Sequence, residues 1–268
     1  VDTSKILREG TRLGTYYLES GASMRASKVV YDRAASSIAE IKPGDIDWET
    51  VFAGQDWFHF TGITPAISES AALACEEAAA TAKRLGLTVS ADMNYRKNLW
   101  TAEEAQATMI PMMKHVDISI GNEEDAEKCL GVAAEGVDVT AGELNPDAYR
   151  PVVQELVDRF DFKKVGITLR ESQSADDNDW SAIYYDGEEI LIGKKYPVRI
   201  VDRVGGGDSF CAAMIYGQNQ DDWNSRQVLD FAVAASAMSH TFHGDFNLVS
   251  VKEVMAVAGG DTSGRVQR

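Results

Sequence analysis

The chain has 268 residues, of which 44% are hydrophobic, enough to bury the core of one large domain or of a large and a small one. Its formal net charge of −16 opposes binding to nucleic acid or to an anionic membrane surface. No apolar run reaches the ~18 residues of a membrane span. Three cysteines, an odd number without a CxxC pair, favour a reducing, cytoplasmic compartment.

The first part of the chain predicts a small β element. Two short β-rich runs, TRLGTYYLES and SKVVYDRAAS, flank the segment GASMRA and indicate a hairpin or small sheet. We place this element at residues 8–35 and interpret residues 36–268 as an α/β domain. The chain begins with Val1, and we expect the natural protein to be longer.

From residue 36 onward, strand-like and helical runs alternate. DWFHFTGI, LTVSADMN, DISIGN and KKVGITLR predict strands, and helical runs such as SESAALACEEAAATAKRLG, capped by Ser68 and Gly86, lie between them. A β run follows, with Asp186-Gly187 as a hairpin turn, and two more helices come after it. This order predicts a three-layer, mostly parallel sheet with helices on both faces and an active site at the carboxyl ends of the strands.

The segment RIVDRVGGGDSF contains three consecutive glycines before a predicted helix. Free backbone N–H groups of Gly205, Gly206 and Gly207 at a helix start favour an anion, and a Cβ at Gly206 would obstruct its approach. The segment fits neither a P-loop nor a dinucleotide-binding fingerprint. Asp208 could accept a proton from a hydroxyl while the amides stabilise a transferring phosphoryl group. The alternative is a turn in which Asp208 only caps the helix.

The same segment resembles the DTxGAGDxF signature of the ribokinase-type (PfkB) carbohydrate kinases, with Val204 and Gly206 as departures. The resemblance implies a ribokinase-like fold with a β lid, ATP and Mg²⁺ as cofactors, Asp208 as the base and a monovalent cation near Asp202. The N-terminal part of the family fold is absent by this comparison.

Two further segments resemble nucleotide and metal elements of the family. GNEEDAEKCLG is similar to the NxxE segment, which puts Asn122 at the nucleotide. In the position of the family glutamate stands Asp125, which would hold magnesium through water, with Glu123 or Glu124 able to share this task. GITLRES falls where a strand-end loop of the family contacts the nucleotide, so Thr168 and Arg170 are assigned there.

Within the family, the chain resembles most the branch that phosphorylates 2-keto-3-deoxygluconate. SADMNYRKNLW is similar to its DxNxR segment, and Arg96 falls on the arginine that binds the substrate carboxylate. The lid positions that cover the sugar are Tyr16, Tyr31 and Arg33. A surface role for Arg96 and a packing role for the tyrosines are the alternatives. SHTFHGDFNLVS also resembles this branch, without a chemistry that we can attach to it.

These observations predict an enzyme that uses ATP to phosphorylate the primary hydroxyl of 2-keto-3-deoxygluconate. Fructokinase or ribokinase activity is one alternative, and a non-catalytic sugar-binding module on the same fold is another. The expected partners are the sugar acid, ATP and a second copy of the chain bound through the lid. A metal site at His240, His243 and Asp245 is not expected, because their spacing fits no helical pair.

Overall fold

The computed structural model describes residues 2–122, 124–133 and 146–264. Its strands are β1 Thr15–Glu19, β2 Lys28–Asp32, β3 Trp57–Thr61, β4 Thr88–Asp92, β5 Ile118–Asn122, β6 Lys164–Ser172, β7 Asp177–Tyr185, β8 Ile190–Ile192 and β9 Tyr196–Arg199. Its α-helices are α1 Trp48–Phe52, α2 Ile63–Ile67, α3 Glu69–Arg84, α4 Ala102–Met112, α5 Asp125–Leu130, α6 Arg150–Phe160, α7 Gly206–Gln218, α8 Ser225–Ser239 and α9 Val251–Ala258. Short 3-10 helices cover Ser37–Glu40, Met113–His115 and Pro146–Tyr149.

The chain divides into two compact units. Unit 1 comprises the described residues of Val1–Glu19, Lys28–Glu135 and Pro151–Val165. Unit 2 comprises those of Ser20–Ser27, Gly136–Arg150 and Gly166–Arg268. These bounds differ from residues 8–35 and 36–268, which we interpreted as a lid and an α/β domain, and that division stays a prediction.

Unit 1 contains a parallel sheet. β3 pairs with β4, and β4 pairs with β5, both in parallel register. The strand residues Val89, Ala91, Ile118 and Ile120 are buried, as expected for parallel strands, which are covered on both faces.

Helix α3 shows why the sequence folds locally as it does. The Ser68 hydroxyl accepts a hydrogen bond from the Ala71 N–H at 3.1 Å and caps the helix start. Gly86, with φ +84°, follows the helix end, where a left-handed residue favours glycine. The buried face carries small side chains at helical spacing: Ala71, Ala74, Cys75, Ala78, Ala79 and Ala82. The predicted caps at Ser68 and Gly86 are both present.

The predicted β element near the N-terminus is an antiparallel pair. β1 and β2 pair with Tyr16 opposite Tyr31 and Tyr17 opposite Val30. Successive side chains of a strand point to opposite faces, so the two tyrosine positions on β1 lie on different faces of the hairpin. Tyr17 is 65% exposed and Val30 is 63% exposed.

Unit 2 is built on β7, which pairs antiparallel with both β8 and β9. β6 is a neighbour of β7 and continues to Ser172, so Thr168 and Arg170 lie within a strand and not in a loop after it. β9 ends at Arg199, and α7 begins at Gly206. The glycines therefore follow an irregular segment, and α7 begins two residues earlier than the sequence predicted.

The described helices do not include one that combines the length and apolar character needed to cross a membrane.

Candidate active site

The start of helix α7 presents backbone N–H groups that have no protein acceptor. Gly205 is the N-cap residue, with φ +84°, a conformation that favours glycine. The first hydrogen bond of the helix runs from the Ser209 N–H to the Gly205 carbonyl at 2.8 Å. Among the described residues, no acceptor contacts the N–H groups of Gly206, Gly207 and Asp208. Unpaired N–H groups at a helix start and the helix dipole favour an anion, and the anion site stays a prediction.

Asp208 is the third residue of α7, and its side chain is exposed. Within the part of the chain that the structure describes, its carboxylate forms neither a hydrogen bond nor an ion pair. Because Gly205 is the N-cap residue, the alternative in which Asp208 caps the helix is wrong. The carboxylate is therefore available to a substrate.

The three glycines differ in what an added side chain would meet. A Cβ at Gly205 would lie 2.3 Å from the Asp245 carbonyl oxygen, and one at Gly206 would lie 2.4 Å from Cε1 of His240. A Cβ at Gly207 would meet nothing within 4 Å. We expected a Cβ at Gly206 to obstruct an anion. The structure shows that it would instead collide with the His240 ring, so this expectation is wrong. The open direction belongs to Gly207.

Asp202 organises the irregular segment that leads into the glycines. One carboxylate oxygen accepts a hydrogen bond from the Arg203 N–H at 2.8 Å, and the other accepts one from the Gly244 N–H at 3.1 Å. Both oxygens thus bind backbone groups of unit 2. The monovalent cation near Asp202 stays a prediction.

Positive charge accompanies this segment. Burial and then the Arg170 charge lower the pKa of Arg203, so the two guanidinium groups are close enough to repel each other. Thr168, two residues earlier on β6, is buried. An anion near Arg170 and Arg203 would relieve their repulsion, which is compatible with the predicted nucleotide role of Arg170. The roles of Thr168 and Arg170 stay predictions.

In unit 1, Asp125 joins the ends of two neighbouring strands. Its carboxylate accepts hydrogen bonds from the Tyr95 N–H at 3.0 Å and the Asn122 N–H at 2.8 Å. The side chain is buried, and burial raises the pKa of Asp125. The Asn122 side-chain oxygen accepts hydrogen bonds from the N–H groups of Glu124 and Asp125 and so starts α5.

These contacts make Asp125 a poor fit for a magnesium ligand, because both oxygens already bind backbone groups in a buried place. The described residues contain no group of three or more His, Cys, Asp or Glu side chains that could hold a metal ion. Of the other two carboxylates considered from the sequence, Glu123 lies outside the described residues and Glu124 is exposed. The magnesium contact stays a prediction.

The segment after β4 contains polar residues that the sequence analysis did not single out. Asn94 is buried, has φ +41°, and donates hydrogen bonds to the Thr61 hydroxyl and to the Asp92 carboxylate, both at 3.1 Å. These side chains lie at the carboxyl ends of β3 and β4. Asp92 and Asn94 are the first two residues of the DxNxR pattern that ends at Arg96, so this pattern could have identified them from the sequence. Arg96 itself is half-buried and donates to the Tyr95 carbonyl at 3.0 Å.

The hairpin and the segment after β4 share a cavity of about 420 Å³. Its lining residues are Val29, Tyr31, Arg33, Ala34, Ile67, Asn98 and Leu99. The Arg33 guanidinium lies over the Tyr31 ring at 4.5 Å, and its buried Nη1 has no hydrogen-bond partner among the described residues. Tyr16 contacts Tyr31 with ring centroids 6.5 Å apart. The structure thus brings three of the predicted sugar-site residues together, while Arg96 is not part of the cavity lining.

The mixed α/β fold, the small antiparallel sheet and the unpaired N–H groups at the start of α7 are compatible with a small-molecule kinase. The profile of the pfkB family carbohydrate kinases matches residues 1–250. The chain belongs to this family, which confirms the predicted ribokinase-like fold and sugar kinase class. Family membership implies ATP as phosphoryl donor together with a divalent metal ion.

Known relatives act on keto-deoxy sugar acids, by their names. The crystal structure of a 2-dehydro-3-deoxygluconokinase from Thermotoga maritima is 48% identical, covers 97% of this chain and 78% of its own, and has a TM-score of 0.91. A 2-dehydro-3-deoxygalactonokinase from Haloferax volcanii is 29% identical over 96% of this chain and 73% of its own length. A 5-dehydro-2-deoxygluconokinase from Clostridium perfringens is 26% identical over 94% of this chain and 70% of its own length.

Proposed function

We propose that the protein transfers the γ-phosphoryl group of ATP to the primary hydroxyl of 2-keto-3-deoxygluconate, which is also called 2-dehydro-3-deoxygluconate. The observation that carries this proposal is the start of α7, where three unpaired N–H groups lie beside the unpaired carboxylate of Asp208. A phosphoryl transfer needs these two features together: a fixed set of donors for negative charge and a base for the acceptor hydroxyl.

In the proposed reaction, Asp208 removes the proton from the sugar hydroxyl as its oxygen attacks the γ-phosphorus. The bond between the γ-phosphorus and the bridging oxygen breaks, and ADP leaves. The N–H groups of Gly206 and Gly207 stabilise the negative charge on the transferring group. The exposed position of Asp208 leaves the carboxylate accessible for this step.

The sugar-acid assignment rests on Arg33 and Arg96, and the structure supports the role of Arg33. Its buried Nη1 lacks a hydrogen-bond partner among the described residues and lines the cavity with Tyr31. A buried donor without a partner is costly, and a substrate carboxylate would satisfy it with a charge-assisted bond. We assign Tyr16 and Arg96 to the same substrate. The three relatives described above are named as kinases of keto-deoxy sugar acids, which supports this choice over fructose or ribose.

The test is a coupled assay of ADP release with 2-keto-3-deoxygluconate, fructose and ribose. Turnover should be highest with the sugar acid, and Asp208→Asn should lower kcat by about 10²–10⁴. The exposed and unpaired side chain predicts that this variant keeps the melting temperature of the wild type. Sugar binding without ADP release would favour the non-catalytic module, and a preference for fructose or ribose would favour the other family activities.

We also propose that the protein forms a homo-oligomer through the lid. Tyr17 and Val30 are cross-strand partners on one face of the hairpin, and both are largely exposed. An exposed apolar pair on a two-stranded sheet is stabilised when a second copy covers it. Tyr17→Asp should lower the mass measured by light scattering if the hairpin forms the contact, and an unchanged mass would contradict it.

The three cysteines are free and buried, which supports the cytoplasmic location expected from the sequence.

A further inference from the structure

The segment after α8 packs against the glycines of the proposed anion site. It contains His240, which follows α8 as its C-cap residue and is only 4% exposed. This is the SHTFHGDFNLVS segment, to which the sequence alone attached no chemistry. Because the side chain is almost fully buried, we look for its role in the residues that it contacts.

The imidazole ring fills the space where Gly206 lacks a side chain. A Cβ on Gly206 would lie 2.4 Å from Cε1 and 2.5 Å from Nε2 of His240, so the ring is in direct contact with the first residue of α7. The glycine is needed at this position to admit the ring. In turn, the ring packs against the first turn of α7.

The ring is fixed by the same residue that holds the Gly206 peptide. Nδ1 of His240 lies 2.7 Å from the Ser236 carbonyl oxygen, and the Ser236 hydroxyl donates to the Gly206 carbonyl at 2.7 Å. A carbonyl oxygen can only accept, so Nδ1 carries the proton in this contact. Ser236 therefore sets the position of both the ring and the Gly206 peptide.

Two more contacts restrain His240. Its backbone carbonyl accepts hydrogen bonds from the Val201 N–H at 2.8 Å and the Asp202 N–H at 3.3 Å, in the segment that leads to the glycines. The Trp180 ring packs against the imidazole with centroids 4.7 Å apart. A single residue thus holds the segment before the anion site with its backbone and the first residue of the helix with its ring.

We propose that His240 is a positioning residue for phosphoryl transfer, which rests on the proposed function. Its neutral ring keeps the N–H groups at the start of α7 aligned with the transferring phosphoryl group. Burial, followed by smaller effects of Arg203 and Arg170, lowers the pKa of His240 and keeps the ring neutral. A misplacement of about 1 Å at a reacting centre can reduce the rate about 100-fold, so the effect should appear in kcat.

The test compares His240→Ala, which removes the ring, with His240→Phe, which keeps a ring but loses the Nδ1 donor. His240→Ala should lower kcat by about 10- to 100-fold, while KM for the sugar stays within about threefold. His240→Phe should recover a large part of the lost kcat. His243→Ala is the matched control, because His243 is an exposed histidine of the same segment, and it should keep wild-type kinetics.

The outcomes separate this inference from the proposed function. An active wild type with an unchanged kcat in His240→Ala would overturn the positioning role. A parallel loss of kcat, sugar KM and melting temperature in both His240 variants would also overturn it, because that is a general packing defect. If His240→Ala does not fold, Gly206→Ala provides the test, since its methyl group must displace the ring and lower kcat at unchanged sugar KM. An unchanged kcat there overturns the inference, and a wild type without ADP release overturns the proposed function and this inference together.

Discussion

Gly207→Ala should separate the stability of helix α7 from its function. Gly207 is a helical residue, and a methyl group on it would meet no protein atom within 4 Å. Alanine is favoured over glycine inside a helix by about 0.5–1 kcal/mol, so the variant should unfold at a temperature about 1–4 °C higher. The Cα–Cβ bond in a helix tilts toward the N-terminus, so the methyl group should project toward the proposed phosphoryl position. We therefore expect kcat with ATP to fall at least about tenfold, which corresponds to about 1.4 kcal/mol.

The measurement combines thermal unfolding with the ADP-release assay. Gly205→Ala is the contrasting variant, because Gly205 has φ +84° and its Cβ would lie 2.3 Å from the Asp245 carbonyl oxygen. That variant should lose stability by at least about 1–2 kcal/mol. Wild-type kcat and ATP KM in Gly207→Ala would refute the placement of the anion at this helix start. A lower melting temperature in Gly207→Ala would refute the helix-propensity argument.

Three further predictions concern unit 1. Arg96→Ala should raise KM for 2-keto-3-deoxygluconate by about 10- to 150-fold and leave KM for fructose unchanged, and equal effects on both sugars would contradict carboxylate recognition. Asp125→Asn can accept only one of the two backbone hydrogen bonds from Tyr95 and Asn122, so urea unfolding should show a loss of about 1–3 kcal/mol, and an unchanged midpoint would contradict the joining role. Burial lowers the pKa of His59 from 6.5 to about 4, so its contribution to stability is present above pH 6.5 and is lost as the pH falls toward 4. Between pH 6.5 and 4, the free energy of unfolding of His59→Gln should therefore fall by up to about 3 kcal/mol less than that of the wild type. The same pH dependence in both proteins would contradict burial of a neutral His59.

Local signals of the sequence predicted the elements of unit 1 well. The cap at Ser68, the left-handed Gly86 and the small-residue face of α3 depend on residues a few positions apart, so they can be read from the sequence. A similar signal was missed for α9, where Ser250 and Glu253 form a capping box. The hairpin of β1 and β2 was also correct, because its two runs are short and adjacent.

Non-local pairing explains the differences in unit 2. β7 begins at Asp177, which pairs with Arg199 of β9. The start of this strand therefore depends on a partner that lies far along the sequence. The early start of α7 depends on a glycine in a left-handed conformation whose missing side chain makes room for the Asp245 carbonyl. Neither partner is visible from a local pattern.

The site was predictable to the extent that it follows family motifs. The glycines and Asp208 lie together at a helix start, and Tyr16, Tyr31 and Arg33 lie together in the hairpin region. The burial of Asp125 was not predictable, because it depends on the meeting of Tyr95, in the segment after β4, with Asn122 at the end of β5.

The distribution of the proposed roles between the two units has a consequence for how such enzymes diverge. The glycine segment and Asp208 belong to unit 2, whereas the residues assigned to the sugar all belong to unit 1: Tyr16, Tyr31, Arg33 and Arg96. Substitutions at these positions of unit 1 can then change the acceptor without altering the glycine segment or Asp208 in unit 2. The names of the relatives differ in the acceptor, which is a 2-dehydro-3-deoxyglucono, 2-dehydro-3-deoxygalactono or 5-dehydro-2-deoxyglucono compound, and agree in the kinase activity.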